Sequence, residues 1–216
     1  MRKYFIIGML LVFALPSCIT IIQSLVTQDN IVADDRLAGT WIGVDSKNIT
    51  VQKIMDSKLR PTSAELAKHD YTKADSLFFT KFYFISFQEN NLNYELLAGL
   101  VKINGEYYLN LKSLRCLDNK GEEAYELEGN KFQSTSTIAR LEWRTNNSLN
   151  INFFNGDHIK EIILNGKARI GYEYDSLFGS FVITASSKEL EKFLEKYGNN
   201  ESLFKKGTTI NLVRKL

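Results

Sequence analysis

Tyr94-Glu95-Leu96-Leu97-Ala98-Gly99-Leu100-Val101-Lys102-Ile103-Asn104-Gly105-Glu106-Tyr107-Tyr108-Leu109-Asn110-Leu111-Lys112 is the stretch that decides the fold. Two runs rich in apolar and aromatic residues flank Asn104-Gly105. That dipeptide is the strongest short-range hairpin signal, because a two-residue turn matching strand twist needs positive φ at both central positions. An antiparallel pair at mid-chain sets the pattern for the segments around it. Leu37-Ala38-Gly39-Thr40-Trp41-Ile42-Gly43-Val44 reads as a strand opening with glycine. Leu77 to Phe87 carries aromatics on both faces of a period-two pattern, with Phe78, Phe82 and Phe84 on one and Leu77, Phe79, Tyr83, Ile85 and Phe87 on the other. Both faces of such a strand are expected to be covered. Leu149 to Phe154 alternates strictly, apolar at 149, 151 and 153 with Asn at 150 and 152. Further strands are expected at Thr137 to Trp143, Ala168 to Tyr174, Ser180 to Ala185 and Thr208 to Arg214.

Helical signals are few. Ser186 and Glu189 have capping-box spacing, Leu190, Phe193, Leu194 and Tyr197 share one helical face, and Gly198 stops it. Asp157 to Leu164 aligns Ile159, Ile162 and Ile163, and Thr62 with Glu65 has the spacing of a cap near Leu66. The chain has 2 Pro and shows no internal repeat. Many strands at hairpin spacing with a few short helices define a mainly β fold, an antiparallel barrel or sandwich.

The N-terminus supplies a location. Arg2 and Lys3 precede an apolar run from Tyr4 to Leu15, the layout of a secretory signal. Leu15-Pro16-Ser17-Cys18 resembles the lipobox of bacterial lipoproteins, in which cleavage before the cysteine leaves that residue to carry lipid. The resemblance implies a signal peptide over 1–17 and a lipidated Cys18; the chain then reads as a tether to residue 35, polar from about Thr27 to Asp35, and a single barrel domain over 36–216. Two other readings stand beside it: an uncleaved anchor from Tyr4 to Val26, about the length of a membrane span, and an ordinary signal peptide followed by a chance cysteine. All three export the domain. Arg2 and Lys3 account for the whole formal charge of +2. The remainder is neutral and lacks a long basic run, which argues against nucleic acid as a partner. With Cys18 lipidated, Cys116 has no partner for an intramolecular disulfide and reads as a small buried hydrophobe.

Gly39-Thr40-Trp41 resembles the Gly-x-Trp motif of lipocalins, and the chain as a whole looks like uncharacterised lipocalin-like (calycin-type) lipoproteins of Bacteroidota-type bacteria. That family implies an eight-stranded antiparallel β-barrel whose Trp plugs one end beneath a basic residue of the last strand. Carried over, Gly39, Trp41 and Arg214 close the barrel. The family's Thr-Asp-Tyr motif has no counterpart here, and the helix at Ser187 to Tyr197 precedes the last strand instead of following it.

Catalytic chemistry finds no foothold. The two histidines, His69 and His158, lie in polar or weakly helical surroundings without metal-ligand spacing. No nucleophile elbow or phosphate-cradling glycine loop occurs, and no cofactor is implied. Glu122, Glu123, Glu126 and Glu128 read as a solvated acidic segment ahead of a paired-acid site. Three function classes follow. The first is a binding module with Phe82, Phe84, Tyr107 or Tyr108 lining a mouth for an apolar small molecule or lipid, although core packing explains the same aromatics. The second is an accessory lipoprotein contacting an envelope protein or cell-wall component through its loops. The third is a hydrolase built on the Glu122–Glu128 acids. The first leads, in a cell-envelope setting with the outer membrane ahead of the inner.

Overall fold

The computed structural model describes residues 20–43, 47–62, 72–122, 135–204 and 209–215. In chain order its strands are β1 (Thr20–Ile21), β2 (Ile31–Val32), β3 (Gly39–Ile42), β4 (Asn48–Lys53), β5 (Phe82–Glu89), β6 (Leu92–Ile103), β7 (Glu106–Leu117), β8 (Thr137–Thr145), β9 (Ser148–Phe153), β10 (Tyr172–Tyr174), β11 (Phe181–Ile183) and β12 (Ile210–Arg214). The helices are α1 (Lys73–Lys81), α2 (Gly156–Leu164) and α3 (Ser187–Tyr197).

Eight of these strands close a barrel. The order around it is β3-β4-β5-β6-β7-β8-β9-β12, each strand antiparallel to the next, with β12 returning to pair with β3. Closure removes the sheet edges that would otherwise invite pairing with other chains. The β6–β7 hairpin turns at Asn104-Gly105, with φ of 50° and 89° and Ile103 opposite Glu106, so both turn residues have the positive φ that its hand requires. A second turn of the same kind, Asn90-Asn91 (φ 49° and 64°), joins β5 to β6. Asparagine tolerates this left-handed region better than other non-glycine residues.

Two apolar cores lie on either side of the barrel wall. Inside, Trp41, Val51, Tyr83, Leu100, Leu109, Leu141, Leu149 and Leu212 pack together. Outside, Val101, Ile103, Tyr108 and Ile138 meet α2, α3 and the N-terminal segment. The long connection from β9 to β12 carries α2, α3 and the strands β10 and β11, which join β1 in a small sheet, so the amphipathic face of α3 covers one flank of the barrel. Ser186 and Glu189 form a reciprocal capping box at the start of α3.

Three sequence expectations change. The residues from Leu77 to Lys81 belong to α1, not to a strand. Thr72 and Asp75 form a capping box, with Thr72 N–H donating to Asp75 Oδ2 at 2.8 Å, and helix begins where that cap is satisfied. Strand β5 starts only at Phe82. The segments Ala168 to Tyr174 and Ser180 to Ala185 shrink to short β10 and β11, which lie outside the barrel wall. Ala168 and Ile170 instead fill the outer core as irregular chain.

The tether expected over 18–35 is folded from Thr20 onward. Ile21 and Leu25 are fully buried and Ile31 nearly so. Leu25 N–H donates to the buried Asn110 Oδ1 at 2.8 Å, and Asn30 Nδ2 returns a bond to Leu25 O at 3.0 Å. The apolar residues of this lead, which the uncleaved-anchor reading would place in a membrane span, are absorbed by the barrel's outer wall. The folded unit therefore reaches at least sixteen residues upstream of residue 36.

Candidate functional site

One end of the barrel is closed, and that end is built from indole and guanidinium groups. Trp41 is 0% exposed and its Nε1–H donates to Leu37 O at 2.9 Å. Arg214 sits opposite Trp41 across the β3–β12 ladder, its Cζ 4.4 Å from the indole centroid. Arg214 Nη1 donates to Ala38 O at 2.9 Å, and Nη2 donates to Arg36 O. Gly39 makes this approach possible: its φ is 143°, and a Cβ there would lie 2.3 Å from Arg214 Nη1. Arg36 repeats the motif on Trp143, Cζ 4.4 Å from its ring, and the two indoles are 6.2 Å apart. Cation–π contacts of this kind contribute about 0.5–2 kcal/mol each, depending on desolvation.

Asp34 orders the loop leading into this plug. Its carboxylate pairs with Arg36 at 2.6 Å, and the hydrogen bonds from Arg36 hold its pKa below the ordinary aspartate value. Tyr83, buried inside the barrel, accepts from Asp34 N–H (2.7 Å) and donates to Asp34 O (3.0 Å). Burial raises the Tyr83 pKa, so the phenol stays a donor.

Above the plug lies a cavity of about 340 Å³ in the barrel axis. Trp41 is its floor; Val51, Ile85, Leu109, Ile151 and Leu212 form the wall. All are inward-facing positions of the period-two pattern. Lys47 and Glu89 pair with each other at the rim, where both remain over a third exposed. No other ionisable side chain among the described residues lines the space. Two surface grooves have similar volumes, ≈ 400 and ≈ 390 Å³, but they are open to solvent and lined by polar groups such as Lys58, Glu95, Arg140 and Glu201. Of the three, the axial cavity is the one that removes an apolar guest from water.

The four aromatics expected to line a mouth are distributed differently. Phe82 and Phe84 point outward from β5, with Phe84 beneath Lys58 (Nζ 5.4 Å from its ring) in one of the surface grooves. Tyr108 faces the outer core, its hydroxyl so close to α3's end that a Cβ on Gly198 would lie 2.3 Å away. Burial pushes the Tyr108 pKa up to about 12. Tyr107 alone of the four faces the inner core, at the closed end. The physical reason is register: Tyr83, Ile85 and Phe87 hold the inner face of β5, so their even-numbered neighbours must face out. The alternating signal that marks Ile151 and Phe153 is a better guide to the cavity wall than aromatic density.

Cys18, His69, Glu123, Glu126 and Glu128 lie outside the described residues, as does the expected cap partner Glu65. Glu122 is exposed, its N–H bonded to Asp118 Oδ1 at 2.9 Å. His158 lies on α2, 3.7 Å from Glu161. Cys116 is half-buried on β7. Among the described residues no group of three His, Cys, Asp or Glu side chains is placed to hold a metal.

Fold and cavity together define a closed, eight-stranded, antiparallel β-barrel with a plugged end and an apolar interior, an architecture consistent with a lipocalin-like fold. No protein-family profile matches the chain, and neither a curated protein nor a solved structure does.

Proposed function

We propose that this is an exported bacterial lipoprotein, anchored through Cys18, whose barrel holds one apolar small molecule or a single lipid chain. The observation that carries the binding role is the axial cavity: about 340 Å³, with an indole floor, apolar walls and, among the described residues, charge only at the rim. That volume falls at the low end of the roughly 300–1,000 Å³ typical of small-molecule sites. A dry apolar cavity of about 150 Å³ already binds benzene. The Lys47–Glu89 pair gives a polar end-group a place to stay hydrated while the apolar part enters.

Two facts support acylation over an uncleaved span. Ile21 and Leu25 are fully buried in the domain, so the folded chain cannot also place them in lipid. Tyr4 to Ile19 would then give about 24 Å of helix, short of a hydrocarbon core of about 30 Å.

The test is to purify the full chain from membranes in mild detergent, extract it with solvent, and identify bound apolar molecules by mass spectrometry. A fluorescent fatty-acid analogue is then titrated into the delipidated protein. Saturable binding lost in Ile151→Trp, which fills the cavity, with an unchanged far-UV spectrum, is the expected result. Absence of both copurified ligand and saturable binding removes the carrier role and leaves contact with an envelope partner as the working function.

A further inference from the structure

The most exposed apolar residues described are Leu177 and Phe178, 84% and 82% accessible, at the turn between β10 and β11. Their exposure is built in. Asp175 Oδ1 accepts from both Leu177 N–H (2.8 Å) and Phe178 N–H (3.2 Å), and Gly179 closes the turn at φ 70°. An ordered turn that points two large apolar side chains at solvent calls for a partner. Behind it, Phe181 stacks on Tyr172 (5.4 Å between centroids) and contacts Tyr174 (6.4 Å). Lys160 lies over the Tyr174 ring at 4.6 Å. Lys160 Nζ also donates to Gly179 O at 3.5 Å, so tyrosines and a cation border the apolar tip, residue types that gather at a membrane interface.

What identifies the partner is the path of the chain. Strand β1 runs parallel to β11, with Thr20 opposite Val182 and Ile21 opposite Ile183. Moving toward the N-terminus along β1 is therefore moving toward the turn along β11. Val182 is three residues from Gly179, and Cys18 is two residues from Thr20, at most about 7 Å away by chain geometry. Thr20, two residues along the sequence from Cys18, and the tip consequently lie toward the same end of the small sheet.

We propose that Leu177 and Phe178 insert into the bilayer that holds the lipid anchor, making a second point of membrane contact that orients the barrel. The proposal rests on the anchored-lipoprotein reading, and one experiment separates the two. The full chain carrying Phe178→Trp is produced in bacteria fed labelled palmitate. It is reconstituted into phosphatidylethanolamine–phosphatidylglycerol vesicles with or without brominated acyl chains. The native indoles, Trp41 and Trp143, pack within the barrel and give the unquenched background of the parent chain. The expected result is a palmitate-labelled protein whose added tryptophan emits at shorter wavelength and is quenched by the brominated lipid. A labelled but unquenched protein overturns the tip contact and leaves the anchor standing. A quenched but unlabelled protein overturns acylation and keeps the tip as the membrane contact; an unlabelled, unquenched one overturns both. Sedimentation without lipid tests a second copy as the occupant. Dimers abolished by Leu177→Ser/Phe178→Ser, with no quenching in vesicles, overturn the proposal in favour of self-association.

Discussion

Trp41→Ala is the substitution that tests the closed end most directly. The indole is fully inaccessible, donates a hydrogen bond to Leu37 O and lies beneath Arg214. Burying about 150–250 Å² of aromatic surface at about 25 cal/mol per Å² corresponds to roughly 4–6 kcal/mol, an upper bound because the unfolded chain already shields some of it. Buried Trp→Ala and Phe→Ala changes cost about 3–5 kcal/mol. Here the surrounding strands are fixed by their ladders, and Trp41 is the floor of existing empty space, so the site cannot collapse around the missing ring. The upper half of that range is expected. At about 2–4 °C per kcal/mol for a domain of this size, the melting temperature should fall by roughly 8–20 °C. Urea unfolding followed by far-UV circular dichroism should show a lower midpoint with an unchanged slope. A variant with the parent's midpoint would falsify the assignment of Trp41 as the plug.

Gly39→Ala should lower stability by about 1–3 kcal/mol, measured in the same way, because its Cβ would collide with Arg214 Nη1 at a φ of 143°. Leu25→Ala should cost about 2–5 kcal/mol if the N-terminal lead belongs to the domain, since that side chain is fully buried; a neutral result restores the lead as a tether. Asp34 has a depressed folded-state pKa, so its contribution is present above the unfolded aspartate pKa and fades as pH falls through the folded value. The stability gap between the parent and Asp34→Asn, determined by urea unfolding across the acid range, should therefore be largest near neutrality and close with acidification. Tyr108 titrates at about 12 in the fold, above the ordinary phenol value. Its stabilising effect is intact below about pH 10 and lost as pH rises toward 12, so Tyr108→Phe should resist alkaline unfolding better than the parent in circular-dichroism melts.

The barrel is legible because its signals are local. Asn104-Gly105 specifies one hairpin outright, and the strict alternation of Leu149 to Phe153 identifies which side faces in. The turn at Asn90-Asn91 carries the same backbone demand in a less distinctive pair of residues. Aromatic runs mislead because they lack direction. Leu77 to Phe87 shows both periodicities at once, and Thr72 with Asp75, just upstream, decides where helix gives way to strand. The destination of Ile21 and Leu25 is not local at all. Their apolarity suits a membrane or a core equally, and only the outer wall formed by Val101, Tyr108 and Ile138 shows which. Arg36 on Trp143 is likewise invisible in sequence, because nothing before folding relates a residue of the lead to one late in β8.

Around the barrel, every ladder but one joins strands that follow each other in the wall's chain order, and a single seam, β12 on β3, joins the two ends of the sequence. Arg214 bonds to Ala38 across 176 residues. The early hairpins can zip as soon as each is released, since short loops close at little entropic cost, whereas the seam needs the last strand of the chain. While the chain is being synthesised, N-terminus first, the barrel strands can form only an open sheet with the edges of β3 and β9 unpaired until residues 210–214 emerge. This topology leaves the barrel open until the final five-residue strand is in place. Truncation or delayed release at the C-terminus becomes an edge-pairing hazard out of proportion to the shortness of that strand.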